Sequence, residues 1–146
     1  MDTMELTTLE AARTFFRGDR FATDAGMTID DAAPGRARIR LPLTEAHLNA
    51  RGFLMGGVPL AMADFSCAVA SHYGPGAGLW VSADAHMSFL NPCKGRTLLA
   101  EATCRKRGRK LSYYEVTIRD ELDNDVARAM FTMCRTNDPL QNPTIP

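Results

Sequence analysis

From His47 to Asp64 the chain reads HLNARGFLMGGVPLAMAD, and this stretch decides the fold. An asparagine and a glycine pair stand just ahead of a long apolar run. From Val58 to Ala70 that run carries one charged side chain, Asp64. Pro59 suits the first turn of a helix, where its missing N–H does no harm. The pattern predicts a single long helix beginning after Met55. A lone carboxylate in such a helix is costly unless it is hydrogen-bonded or its acidity is put to use. Asp64 is therefore the first candidate for chemistry.

Projected at 100° per residue, the helix divides into two stripes. Val58, Met62, Phe65 and Val69 form a bulky stripe, the expected core face. Gly57, Leu60, Ala61, Asp64, Cys67, Ala68 and Ser71 lie opposite and are mostly small, which lets a ligand or another backbone approach. Gly56 and Gly57 at the helix start carry backbone N–H groups without helical acceptors, about two turns from the carboxylate. Such donors can polarise a carbonyl oxygen while a carboxylate attacks or activates water. The simpler reading of Asp64 is a structural bond to a neighbouring backbone group.

On the N-terminal side, Leu9, Ala12 and Phe16 recur at helical spacing, which predicts a short helix from about Leu6 to Arg17. Ala22 to Asp31 and Arg36 to Leu43 read as a hairpin turning at Ala33-Pro34-Gly35. In its second arm Ala37, Ile39 and Leu41 alternate with Arg36, Arg38 and Arg40. After the central helix, Gly74-Pro75-Gly76 marks a stop, and four strand-like runs follow: Leu79 to Leu90, Thr97 to Lys106, Leu111 to Arg119 and Asp125 to Thr136. The order predicts an α+β domain with an antiparallel sheet. A helix apolar on nearly all sides must be surrounded, so the sheet is expected to curl around it. The organisation expected is an N-terminal helix over residues 1–20, one domain over 21–136 and a loosely held tail over 137–146.

At 146 residues the chain is long enough for one well-buried core. Its formal net charge of zero gives no global field toward nucleic acid or an anionic membrane. No apolar run approaches the roughly 20 residues needed to span a bilayer, and the first residues do not read as a secretory signal. Cys67, Cys93, Cys104 and Cys134 form no Cys-x-x-Cys pair and no zinc spacing, so reduced packing thiols and a cytoplasmic setting are expected.

Asn49, Gly52, Gly56-Gly57 and Asp64 together resemble the motif of PaaI-like hotdog-fold acyl-CoA thioesterases, Asn-x-x-Gly-x-x-His-Gly-Gly followed by an Asp seven residues on. The run Val81-Ser82-Ala83-Asp84 with Phe89-Leu90-Asn91-Pro92 is similar to that family's first strand after the helix. The resemblance covers about residues 20 to 136. It implies a hotdog fold, a long central helix wrapped by a curled antiparallel sheet, assembled as homodimers or homotetramers with active sites at the dimer interface. It implies hydrolysis of acyl-CoA to a free acid and coenzyme A with no metal or further cofactor. Asp64 would be nucleophile or general base, and the Gly56 N–H, helped by Gly57, would hold the thioester oxygen. Asn49 would position water or the carbonyl, and Ser82 would assist the attacking water. Met55 stands where the family commonly has histidine, which removes an imidazole but leaves the backbone donors.

Arg105, Lys106, Arg107 and Arg109, with Lys110, make the most basic segment. It reads either as a solvated hairpin turn or, as the family resemblance suggests, as a grip for the phosphates of coenzyme A. No aromatics interleave it for nucleic acid. By strand parity Ser82, Asp84, His86 and Ser88 share one face, as a ligand wall or a subunit contact. Two rivals to the hydrolase remain. One is a hotdog dehydratase or hydratase acting on acyl thioesters, whose catalytic histidine motif is not found here; the other is a non-catalytic acyl-CoA binder marked by Met55.

Overall fold

The computed structural model describes residues 5–137. Helix α1 spans Leu9–Phe16 and is capped by Thr8, whose hydroxyl accepts the Ala11 N–H at 3.1 Å. A short helix α2, Arg20–Asp24, follows. Strands β1 (Thr28–Ala33) and β2 (Arg36–Pro42) form a hairpin, and a 3-10 turn at Glu45–His47 leads toward the long helix α3, Gly57–His72. Strands β3 (Leu79–Phe89), β4 (Thr97–Arg107), β5 (Leu111–Asp120) and β6 (Asp125–Thr136) complete the order.

The first arm of the hairpin begins at Thr28, not at Ala22. Residues 20–24 form a helical turn instead, held by the Arg20–Asp24 ion pair at 3.1 Å, four residues apart. The turn itself is as tight as Pro34-Gly35 suggests: Ala33 faces Arg36, and Gly35 has φ +75°. Along β2, Ala37, Ile39 and Leu41 are buried and the arginines face out. The expected loose tail falls outside the described residues, apart from Asn137.

The six strands form one antiparallel sheet in the order β1-β2-β4-β5-β6-β3. It is open, with β1 and β3 as free ends. This corrects the expectation of a curled sheet wrapped around the helix. Closure would require β1 to pair with β3. β1 has only six residues, is bulged between Ile29 and Asp31, and carries two adjacent aspartates, all features that end strand pairing. Nor does the helix need a full wrap. Met62, Phe65 and Val69 are buried against the inner sheet face, whereas Gly57, Leu60 and Asp64 remain exposed on the opposite stripe. The molecule is an α+β, hotdog-like arrangement of one long helix on an antiparallel sheet.

One buried carboxylate ties the far end of the sheet together. Asp120, at the end of β5, is 1% exposed and accepts backbone N–H groups from Lys94 at 2.9 Å, Gly95 at 3.0 Å, Leu122 at 3.0 Å and Asn124 at 3.1 Å. Beside it Glu121 accepts the N–H groups of Arg96 and Thr97. Burial pushes the Asp120 carboxyl up, but the donors from Lys94, Asn124 and Gly95 outweigh it and hold the group at about 2. A value depressed below the ordinary one means that the folded state favours the charged form. The resulting stability is complete above about pH 4 and is lost as pH falls toward 2. Asp120→Ala should lower unfolding free energy at pH 7 by about 3 kcal/mol in a denaturant titration. It should also flatten the loss of stability between pH 4 and pH 2; an unchanged acid limb would remove Asp120 from this role.

Candidate active site

The loop before α3 is built by Asn49 and Gly52. The Asn49 side-chain oxygen accepts the N–H groups of Arg51 at 2.9 Å and Phe53 at 3.1 Å, while its own N–H donates to the Phe53 carbonyl at 2.7 Å. Gly52 donates to the Asn49 carbonyl with φ +82°, a conformation that favours glycine. The Asn-x-x-Gly spacing thus has a structural cause. The Asn49 side-chain oxygen is spent on the turn, and its amide Nδ2 has no hydrogen-bond partner among the described residues. His47 anchors the loop from behind: Nδ1 accepts the Thr44 N–H at 2.9 Å and Nε2 donates to the Ala25 carbonyl at 2.7 Å.

Met55 is exposed at the mouth of α3, and its N–H donates to the His47 carbonyl. Its own carbonyl accepts the Val58 N–H at 3.0 Å. The N–H groups of Gly56 and Gly57 precede the helical ladder and donate to no carbonyl of the flanking loop. The two glycines differ in surroundings. A β-carbon on Gly56 would meet the Phe89 ring at 3.2 Å, whereas one on Gly57 would meet nothing within 4 Å. Gly57 therefore opens onto free space beside the unpaired donors. Sequence reading missed Phe89 as a neighbour of this site, because the contact joins the end of β3 to the start of α3.

Asp64 lies on the uncovered stripe of α3. The Ser82 hydroxyl donates to its Oδ1 at 2.6 Å, and Oδ2 has no partner among the described residues. A β-bulge makes this contact. Ser82 pairs with Met133 and Asp84 with Thr132, which leaves Ala83 unopposed. Cross-strand partners share a face, so Ser82 points toward the helix with buried Met133. Asp84, His86 and Ser88, opposite Thr132, Met130 and Arg128, point to the other side. The expected single face of Ser82, Asp84, His86 and Ser88 is thus overturned: one extra residue reverses the parity.

The field of Asp64 reaches the α1–α2 corner. Desolvation, and next the charge of Asp64, raise the Asp19 carboxyl. His72, two turns beyond Asp64, is fixed by its Nδ1 against the Ala68 carbonyl at 2.7 Å and by the Trp80 N–H donating to Nε2 at 3.2 Å. Burial lowers its basicity, so the neutral ring fits both bonds.

The basic segment is split rather than gathered. Arg105 pairs with Glu115 at 2.7 Å on the outer face. A bulge between Cys104 and Lys106 then places Lys106 opposite exposed Tyr113, and Arg107 opposite buried Ser112 on the inner face. Arg109 lies in the following turn. None of them contacts Asp64. Cavities of about 530 Å³ on the charged outer face and about 520 Å³ beneath α1 are lined by other residues. Among the described residues no cluster of histidine, cysteine, aspartate or glutamate could hold a metal ion, and no helix is long and apolar enough to cross a membrane.

Comparison with known proteins agrees with this geometry. The family model described as the thioesterase superfamily matches residues 51–127, from the Asn49 loop into β6. A putative esterase of Deinococcus radiodurans is 38% identical over 107 residues, covering 73% of this chain and 71% of that protein. The Homo sapiens protein acyl-coenzyme A thioesterase 13 is 28% identical over 93 residues, covering 63% of this chain and 66% of the relative. The structure of the E. coli PaaI protein from the phenylacetic acid degradation operon superposes with a TM-score of 0.79 at 23% identity, over 89% of this chain and 97% of that one. The chain belongs to the thioesterase superfamily and is a thioester hydrolase with the hotdog-like fold that PaaI also has.

Proposed function

We propose that the protein hydrolyses acyl-CoA thioesters to a free carboxylic acid and coenzyme A, at a site shared between two copies of the chain. One observation carries the reading: Asp64 stands on the uncovered stripe of an otherwise apolar helix, with one oxygen held by Ser82 and the other free. The human relative's name, acyl-coenzyme A thioesterase 13, supports the substrate class.

The need for a second copy follows from helix geometry. Gly56 and Asp64 are eight residues apart, about 12 Å along the axis. A reacting carbonyl must lie about 3 Å from both the oxyanion donor and the attacking group. One chain cannot supply both to one carbonyl. A partner's Asp64 facing this chain's Gly56 can, and the reciprocal contact makes two sites in a two-fold dimer. The free edge of β3 supports such pairing. It runs eleven residues without proline or lysine, whereas the β1 edge is short and acidic.

In the resulting chemistry Asp64 acts on the carbonyl carbon as nucleophile, or as general base by taking a proton from water. The N–H of Gly56, helped by that of Gly57, receives the oxygen as it becomes an oxyanion. In the general-base route water adds to the carbonyl carbon, and collapse breaks the C–S bond and releases the coenzyme A thiolate, which takes up the proton. In the nucleophile route collapse leaves the acyl group on Asp64 as an anhydride. Water hydrolyses this to the free acid and the restored carboxylate, its proton going to the thiolate. Ser82 holds the carboxylate in place, and the Asn49 Nδ2 faces the carbonyl or water. Met55 replaces an imidazole with a thioether, so polarisation falls to the backbone donors.

Two measurements test this. Thiol release from a panel of acyl-CoAs should fall about a thousandfold in Asp64→Asn and roughly tenfold in Ser82→Ala. Equal rates in Asp64→Asn would remove that residue from catalysis, and no release by the wild type would favour an acyl-CoA-binding protein instead. A mixing experiment tests the sharing. Asp64→Asn and Gly57→Val, each inactive alone, should together recover about a quarter of wild-type activity after subunit exchange, because half the dimers are mixed and each holds one intact site. No recovery from well-folded mixed dimers would place the whole site in one chain.

A further inference from the structure

Gly56 has φ −59° and ψ −27°, right-handed helical values that any residue adopts. Its backbone conformation does not call for glycine, but the space around it does. A β-carbon there would lie 3.2 Å from Cζ and 3.3 Å from Cε1 of Phe89, so the tip of the ring rests against the glycine α-carbon. At Gly57, one residue on, a β-carbon would meet nothing within 4 Å. The ring, not the backbone, requires the first of the two glycines.

Phe89 is 61% exposed, yet the backbone that carries it is held firmly. It pairs with buried Ala127 on β6, and cross-strand partners share a face, so Phe89 stands on the inner face with α3. The residues after it are tied to the start of β6. The Leu90 N–H donates to the Val126 carbonyl at 2.9 Å, and the Asn91 side-chain amide donates to the Asp125 carbonyl at 2.9 Å. Asn124 closes the same corner, its Nδ2 donating to the Pro92 carbonyl at 2.9 Å. The backbone at Gly56 is held more lightly. It has no side-chain cap, and its carbonyl accepts the Leu60 N–H at 3.5 Å, long for a hydrogen bond.

The same strand reaches the other reactive group of α3. Ser82, seven residues before Phe89, donates to Asp64, while Phe89 abuts Gly56. β3 therefore touches both the carboxylate and the backbone donor, one through a hydrogen bond and the other through a ring. An oxyanion donor is effective when it lies about 2.7–3.1 Å from the developing charge, and a misplacement of about 1 Å can cost roughly a hundredfold in rate.

We propose that Phe89 is a positioning residue: its ring sets where the Gly56 N–H stands, and so how well the thioester oxygen is received. The role of that N–H rests on the hydrolytic reading above; the contact rests on its own geometry. Phe89→Ala should lower kcat for an acyl-CoA roughly thirtyfold, with KM within about twofold of the wild type. Phe89→Tyr keeps the ring and should keep the rate. Gly56→Ala alone should lower kcat about a hundredfold, because its methyl meets the ring. In the Phe89→Ala background the same methyl has room and should cost less than about threefold more. Gly57→Ala is the control and should cost the same factor with and without the ring. A readout without substrate comes from glycine-selective NMR, in which the Gly56 amide should move most among the signals of the 11 glycines on Phe89→Ala.

Phe89→Leu keeps apolar bulk and should give an intermediate kcat, which carries the test where the alanine variant fails to fold. Effects of Gly56→Ala and Phe89→Ala that simply multiply would overturn the proposal, as would a rise in KM at unchanged kcat. Activity lost only in step with the oligomer, by size-exclusion chromatography, would overturn it too. If the wild type cleaves no thioester while the Gly56 signal still responds to Phe89, the contact stands and the hydrolytic reading fails.

Discussion

The packing of α3 on one face of the sheet is the constraint on which the functional side of the molecule depends. Met62, Phe65 and Val69 are buried against the inner strands, each contributing about 2 kcal/mol. Their burial fixes the rotation of the helix about its axis. With that rotation fixed, Gly57 and Leu60 face away from the core and Asp64 is left exposed beside the edge strand β3, where the Ser82 hydroxyl reaches it. A rotation of one residue would carry Asp64 toward the core, where an unpaired carboxylate would be costly. The same hydrophobic stripe that folds the protein therefore also presents its carboxylate.

Much of this was legible in the sequence because it is periodic. The buried Met62, Phe65 and Val69 of α3, the alternation in β2 and the tight turn at Pro34-Gly35 follow from spacing and from the backbone limits of proline and glycine. Cys67 and Ser71, expected on the opposite stripe of the helix, are buried as well. What failed was reasoning that assumed an unbroken period. Parity placed Ser82 with Asp84, His86 and Ser88, yet unopposed Ala83 reverses the strand between them. An inserted residue leaves no mark in a run such as Val81-Ser82-Ala83-Asp84, since every residue there tolerates an extended backbone. The bulge is nevertheless what brings a hydroxyl to Asp64. The basic run divides for the same reason, with Arg105 and Arg107 on opposite faces.

Closure of the sheet was misjudged on different grounds. Mean apolarity along a helix says how much surface must be buried but not what buries it. Gly57 and Ala61 need little cover, and Leu60 remains partly exposed, so an open sheet suffices for a single chain. The surface left bare includes Phe53, Met55, Leu60, Phe89 and Leu90 around the entrance to α3, together with the free edge of β3. Apolar exposure at the same end as an unpaired strand edge is what an isologous contact removes.

The charges of the sheet divide along the same lines. On the outer face Glu101 sits between Arg36 and Arg38, and Glu115 faces Arg105 and Arg128, so most fields there end on a neighbour. On the inner face the core leaves room for polar groups only at its margins. At one margin Asp120 gathers backbone donors and closes two turns on itself. At the other, Arg107 and Arg135 are gathered on the Trp80 ring, and neither has an ion pair among the described residues. Held between one indole ring and one carbonyl oxygen, the two guanidinium groups close the corner of the sheet from Ala77 to Trp80.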